Sequence, residues 1–153
     1  NRLMAASAKS LNKAGWEITH QTGTKLFNET LEMYRELDTT AHIKSYIDDI
    51  ASEYEKADVV IARSGSGTVF ETMYARRPAI FVPFAEAADS HQLYNALFAE
   101  KLGIARVLPE ENADPERLMA LLGWAECQEL KQRLEEVKYL NSPEIIVRGM
   151  KLD

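Results

Sequence analysis

Between Trp16 and Leu108, short apolar runs rich in β-branched residues alternate with longer stretches of helical spacing, and this alternation most constrains the fold. "WEITHQTG", residues 40–46, "DVVIAR", "PAIFVPF" and "ARVL" read as five strands. Helices are predicted over 25–37, 48–56, 68–75 and 90–102 between them. Leu3, Met4, Ala8, Leu11 and Ala14 form an earlier helical stripe that stops at Gly15. Helices over 115–125 and 128–140 and a short one within "NSPEIIVRGM" follow the last strand. Strands separated by helices and short loops return through crossovers. The expected class is therefore α/β, a Rossmann-like parallel sheet with helices on both faces and ligands beyond the carboxyl ends of its strands. "DVVIAR" is expected to be buried on both faces. Pro78 and Pro83 confine the "PAIFVPF" ladder to its middle.

At 153 residues, with 46% hydrophobic and 27% charged residues and no repeat or linker, residues 1–153 are expected to form a single domain. The net charge of −6 opposes a phosphate-backbone footprint, which sets nucleic acid aside as a partner. Cys127 has no partner for an internal disulfide, and His20, His42 and His91 show no metal-ligand spacing. A reducing, cytoplasmic setting is the simplest reading. No apolar run approaches the roughly 18–20 residues of a membrane span, and residues 1–15 lack the order of a signal peptide, so a soluble chain is expected.

In "RSGSGTVFE" the strand ends near Arg63 and the next helix is expected near Thr68. Gly65 and Gly67 allow positive φ or close backbone approach, so the helix N–H groups can face an anion. The pattern is neither the dinucleotide fingerprint, since Phe70 stands at the third glycine's place, nor a P-loop. Thr68 and Glu71 fit a capping box; the alternative is that Glu71 accepts hydrogen bonds from ribose hydroxyls. Asp89, Ser90, His91, Gln92 and Asn95 cluster at another helix start, either as caps or as ligand groups. His91 and Gln92 meet one ligand only at the helix tip, because neighbours point about 100° apart. Tyr46 and Ile47 lead into Asp48 and Asp49, which read first as charges favoured by a helix amino end.

Taken in order, "HQTG", "YIDDI", "ADVVIARSGSGTVFE", "PAIFVPF", "DSHQLYNAL" and "NSPEIIV" resemble the carboxyl-terminal half of the MurG glycosyltransferases, over residues 1–150. The resemblance implies the donor-binding half of a glycosyltransferase B fold. It implies inverting transfer of N-acetylglucosamine from UDP-N-acetylglucosamine to lipid I, giving lipid II for peptidoglycan, without a metal or other cofactor. It places Tyr46 and Ile47 beside uracil, with the Ile47 main chain bonding the base edge. Glu71 falls on the ribose hydroxyls, the main-chain N–H groups of Ser66, Gly67 and Thr68 on the diphosphate and sugar, and His91 and Gln92 on the sugar hydroxyls. The family commonly has a larger or apolar residue at Gly67 and often Gln at His91.

The same resemblance implies a central first strand, a glycine-rich loop and an acceptor domain ahead of Asn1, with the catalytic base in that other half. On this expectation the chain is one half of a two-domain enzyme, peripheral at the inner face of the bacterial plasma membrane. Alone it is expected neither to transfer sugar nor to hold the donor tightly. Two alternatives stay open: the donor chain of another split lipid-linked N-acetylglucosaminyltransferase, and a non-catalytic nucleotide-sugar binding domain.

Overall fold

The computed structural model describes residues 1–84, 91–126 and 128–136. In chain order the elements are α1 (Arg2–Lys13), β1 (Thr19–Gln21), α2 (Phe27–Glu36), β2 (His42–Lys44), α3 (Ile50–Lys56) and β3 (Val60–Ala62). Then come α4 (Ser66–Tyr74), β4 (Ala79–Phe81), α5 (His91–Lys101), β5 (Ala105–Val107), α6 (Pro115–Ala125) and α7 (Gln128–Glu136). Asp89, Ser90, Cys127, residues 137–140 of the last long predicted helix and the short helix expected within 141–150 lie outside the described residues.

Local signals place the helix ends. α1 stops at Gly15, whose φ of 88° lets its N–H reach the Asn12 carbonyl while the Trp16 N–H reaches that of Leu11. These two hydrogen bonds close the open carbonyls of a last turn, and the left-handed φ is easiest for glycine. α6 begins with Asp114 accepting from the Arg117 N–H at 2.8 Å and Pro115 in its first turn. Its Leu118, Leu122 and Ala125 recur at i, i+4 and i+7 and are all buried.

All strand pairs are parallel. β4 is the middle strand of β3–β4–β5, and Ala79, Ile80 and Phe81 are all buried, with Pro78 and Pro83 just outside the ladder. Because side chains alternate, β4 feeds two cores. Ala79 and Phe81 pack with Val69 and Met73 of α4, Ala96 and Ala99 of α5, and Leu130 and Leu134 of α7. Ile80 points the other way, among Ala8 and Leu11 of α1, Tyr34 of α2, and Leu118 and Leu122 of α6. Helices therefore cover both faces, as the alternation requires.

The described strands form a pair, β1–β2, and a triplet, β3–β4–β5. One expectation is corrected. β3, expected to be buried on both faces, is only half-buried along its length. One of its edges has β4, and the other opens on a cavity of about 1250 Å³ that β1 borders from the opposite side.

Candidate functional site

The carboxyl ends of β2, β3 and β4 carry the predicted site residues. α4 starts at Ser66 with Gly65 as its cap, two residues earlier than expected, and its first helical bond runs from the Val69 N–H to the Gly65 carbonyl at 3.0 Å. Ser66, Gly67 and Thr68 thus form the first turn, whose N–H groups precede that bond, as an anion site at a helix start requires. The capping box is overturned: Thr68 is the third helical residue, and Glu71 lies too far along to reach back to the cap. Nor do Gly65 and Gly67 use positive φ. Both face open space: a Cβ on Gly65 would meet nothing within 4 Å, and one on Gly67 would meet only Glu71 Oε1, at 3.9 Å.

The Glu71 carboxylate leans back over Gly67 and is held there from another helix. Tyr54 Oη, on α3, donates to Glu71 Oε2 at 3.0 Å. Burial, then the bond to Glu71 and its charge, push the Tyr54 phenol up to about 12, so it stays a donor at neutral pH. α3 is itself anchored by Asp49, whose side chain accepts from the Ser52 N–H at 3.1 Å. That is the helix-start role read for this aspartate.

Ile47 is buried, and its N–H donates to Gln21 Oε1 at 2.8 Å. The main-chain donor assigned to a base edge is thus held by a side-chain carbonyl, a group chemically similar to a uracil carbonyl; base recognition through it requires displacing Gln21. Tyr46 is 66% exposed, so its ring is available to a ligand. His91 and Gln92 open α5, beside the start of α4: Ser64 Oγ donates to the Gln92 carbonyl at 2.7 Å, and Asn95 Nδ2 to the Ser64 carbonyl at 3.0 Å. Gln92 Oε1 accepts from the Phe84 N–H at 3.0 Å, which ties α5 to the segment after β4. The His91 side chain is exposed.

Arg63 was read only as the end of a strand. Its Nη1 donates to the Val82 and Pro83 carbonyls at 3.2 Å each, its Nη2 pairs with Glu110, and its guanidinium lies 5.2 Å from the Phe84 ring centroid. A charged residue closing an apolar strand was the visible signal; its partners, up to 47 residues away, were not. Tyr54 carried no signal at all. Of the predicted residues, Ile47 and Thr68 line the mouth of the cavity between β1 and β3, together with Tyr54 and Arg63. Tyr46, Ser66, Gly67, Glu71, His91 and Gln92 do not line it.

In the middle of β1, His20 Nδ1 lies 3.0 Å from Tyr34 Oη and Nε2 lies 3.1 Å from Asn1 Oδ1. Burial lowers its pKa from 6.5 to about 4. A folded pKa below the unfolded one means that, on acidification, the unfolded chain takes the proton first. Stability should hold above pH 6.5, fall between about 6.5 and 4, and gain no further loss from this group below 4. His20→Gln should flatten that decline in urea unfolding measured across this range; an unchanged slope counts against it.

Comparison with known proteins defines the class. The fold matches the crystal structure of the calicheamicin glycosyltransferase CalG4 with a TM-score of 0.72 at 19% identity, over 97% of this chain and 35% of that one. It matches the crystal structure of Acinetobacter baumannii MurG with a TM-score of 0.69 at 28% identity, over 88% of this chain and 43% of that one. A parallel α/β domain of this shape is a glycosyltransferase B half. Residues 1–143 match the glycosyltransferase family 28 C-terminal domain, and the chain belongs to that family. Curated relatives include UDP-N-acetylglucosamine–N-acetylmuramyl-(pentapeptide) pyrophosphoryl-undecaprenol N-acetylglucosamine transferases. That of Methylococcus capsulatus is 38% identical over 74% of this chain and 32% of its own length. That of Hydrogenovibrio crunogenus is 35% identical over 86% of this chain and 38% of its own. The chain spans about a third of the length of these relatives.

Proposed function

We propose that residues 1–153 form the single donor-binding domain of a hexosyltransferase that moves N-acetylglucosamine from UDP-N-acetylglucosamine to lipid I, the second half supplying the acceptor site. The observation that carries this reading is the amino end of α4, open over the end of β3 with the Glu71 carboxylate beside it. In an inverting transfer the acceptor oxygen attacks the anomeric carbon while the bond from that carbon to the diphosphate oxygen breaks on the opposite face. Charge develops on the departing UDP. The N–H groups of Ser66, Gly67 and Thr68 and the α4 dipole stabilise that charge more than they stabilise the ground state. Glu71 takes the ribose hydroxyls, Tyr46 and Ile47 border the base, and His91 and Gln92 address the sugar.

Among the described residues no helix is long and apolar enough to cross a membrane. The membrane association this reading needs, at the inner face of the bacterial plasma membrane, is peripheral and shared with the other half. Calorimetric titration with UDP-N-acetylglucosamine, UDP-glucose and UDP tests the assignment. A preference for the first supports it; equal binding of all three, or none even at millimolar ligand, counts against it.

Tyr54 enters as the positioning residue for Glu71. Tyr54→Phe is expected to weaken UDP binding about three-fold, the size of one ordinary hydrogen bond, and to lower the preference for UDP over 2′-deoxy-UDP. In a Glu71→Ala background the same change should cost nothing more. A full additional loss there would separate Tyr54 from Glu71.

A further inference from the structure

α5 reverses the usual pattern of a surface helix. Its small residues Ala96 and Ala99 face the core, while Leu93, Tyr94, Leu97 and Phe98 are exposed. A solvated helix turns its large apolar residues inward and its charges outward; one that is apolar on both sides is ordinarily covered on both. α4 continues the same surface: Val69 and Met73 are in the core, and Phe70 and Tyr74, one turn apart, are exposed. α4 and α5 pack side by side, and side-chain directions join the two sets. With Val69 inward and Glu71 turned to Tyr54 on α3, Phe70 takes the flank of α4 toward α5. On α5, Asn95 reaches the Ser64 carbonyl just ahead of α4, and Phe98, three residues on, shares that flank. Tyr94 stands one turn before Phe98. Phe70, Tyr74, Tyr94 and Phe98, between 50% and 78% exposed, therefore stand over the seam between the helices, and Leu93 and Leu97 extend the surface across α5.

We propose that this α4–α5 face is a two-fold interface between two copies of this chain. The first argument is area. An aromatic side chain offers roughly 150–250 Å², so at these exposures the six residues present about 600 Å² of apolar surface per copy. Two copies closing on it would bury about 1,200 Å², the lower end of what specific, stable interfaces need. The second argument is charge. The two helices carry only three formal charges: Glu71, held by Tyr54; Glu100, whose carboxylate accepts from the Val107 N–H at 3.0 Å; and Lys101. Both carboxylates are thus turned to other elements. In a chain of net charge −6, which repels its own copy, this is a face where carboxylates need not oppose one another. With only Lys101 to offer, it suits a neutral apolar surface like itself better than a charged peptide or an anionic membrane. The third argument is shape. α4 and α5 lie between parallel strands and run the same way, so a two-fold axis across them sets each antiparallel to its copy, ridges into grooves. The two Lys101 side chains then fall at opposite ends of the interface, and the tyrosine hydroxyls can stay at its wet rim.

Sedimentation equilibrium of the 153-residue chain, from about 1 to about 200 µM, tests the proposal. A monomer–dimer equilibrium with a micromolar Kd is expected, because the area is at the low end. Tyr94→Ser and Phe98→Asp should each weaken the dimer by about 30-fold or more, as loss of a central aromatic anchor does. Leu37→Ser, at an exposed leucine just past α2, should leave it unchanged. All three positions are exposed, so the thermal midpoint of dilute protein should stay the same in each variant. A second measurement needs no variant: hydrogen exchange of the unmodified chain, read by mass spectrometry at about 1 and about 200 µM. Concentration should slow exchange by about 10-fold in peptides covering α4 and α5 and leave α1, α2 and α6, on the other face of the sheet, unchanged. A monomer at the highest concentration overturns the proposal, as does association that both variants keep or that protects other elements. An open series of larger species also overturns it, because a two-fold contact closes on itself.

Discussion

Replacing Glu71 with alanine is expected to weaken UDP binding by about 10- to 100-fold, the cost of a charged hydrogen-bond partner lost from ribose hydroxyls that then stay desolvated and unpaired. Glu71→Gln keeps an acceptor and should cost less, about 3- to 10-fold. Because α4 is capped at Gly65 and not through Glu71, neither variant should lower the thermal midpoint by more than a degree or two. NMR titration with millimolar UDP measures the loss, and a thermal melt of each variant separates binding from folding. UDP binding unchanged in Glu71→Ala would remove Glu71 from the ribose; a large drop in melting temperature would make it a structural residue.

Phe81→Ala is expected to cost about 3–5 kcal/mol, a large share of the roughly 5–15 kcal/mol that holds a domain together. Phe81 is 1% exposed, in the middle strand of the triplet, and packs among Val69, Met73, Ala96 and Leu134. Three helices, α4, α5 and α7, meet in its cluster, so no single one can move to fill the space it leaves. Urea unfolding should show a lower midpoint with an unchanged slope, and the thermal midpoint should drop by roughly 10 °C. A cost below about 1 kcal/mol would mean that this core repacks freely. The loss should also reach the site: the segment after β4 carries the carbonyls that hold Arg63 and the Phe84 N–H that holds Gln92.

Much of the site was legible because backbone chemistry is local. A glycine turn following a strand and preceding a helix puts N–H groups at the strand's carboxyl end whatever the rest of the chain does; the turn marks an anion-facing helix start near Thr68, and the resemblance adds Ser66, Gly67 and Thr68 as the residues concerned. Glu71 was legible as a candidate but not as a choice. A threonine followed three residues later by a glutamate is the spacing of a capping box. Only the helix start at Ser66, and a tyrosine 17 residues back in sequence, took the carboxylate out of that role. Ile47 and Gln92 were read as facing a ligand. The structure engages the first through Gln21 and the second through Phe84, partners 26 and 8 residues away.

The order of elements, the parallel sense of the strands and the two covered faces followed from the sequence by itself. Periodicity and glycine and proline punctuation act over a few residues, and short crossover connections leave a parallel sheet as the outcome. Gly15 ends α1, and Pro78 and Pro83 bound β4, for reasons contained in those residues. The partners of Glu71, Ile47 and Arg63, and the half-exposure of β3, were decided only in the tertiary structure. A side chain's partner is whichever group the packing of distant elements brings within about 3 Å, and no local pattern encodes that distance. An apolar strand likewise records that it can be buried, but whether a neighbour covers each edge depends on the rest of the sheet, and among the described residues β3 meets β4 on one side and a cavity on the other.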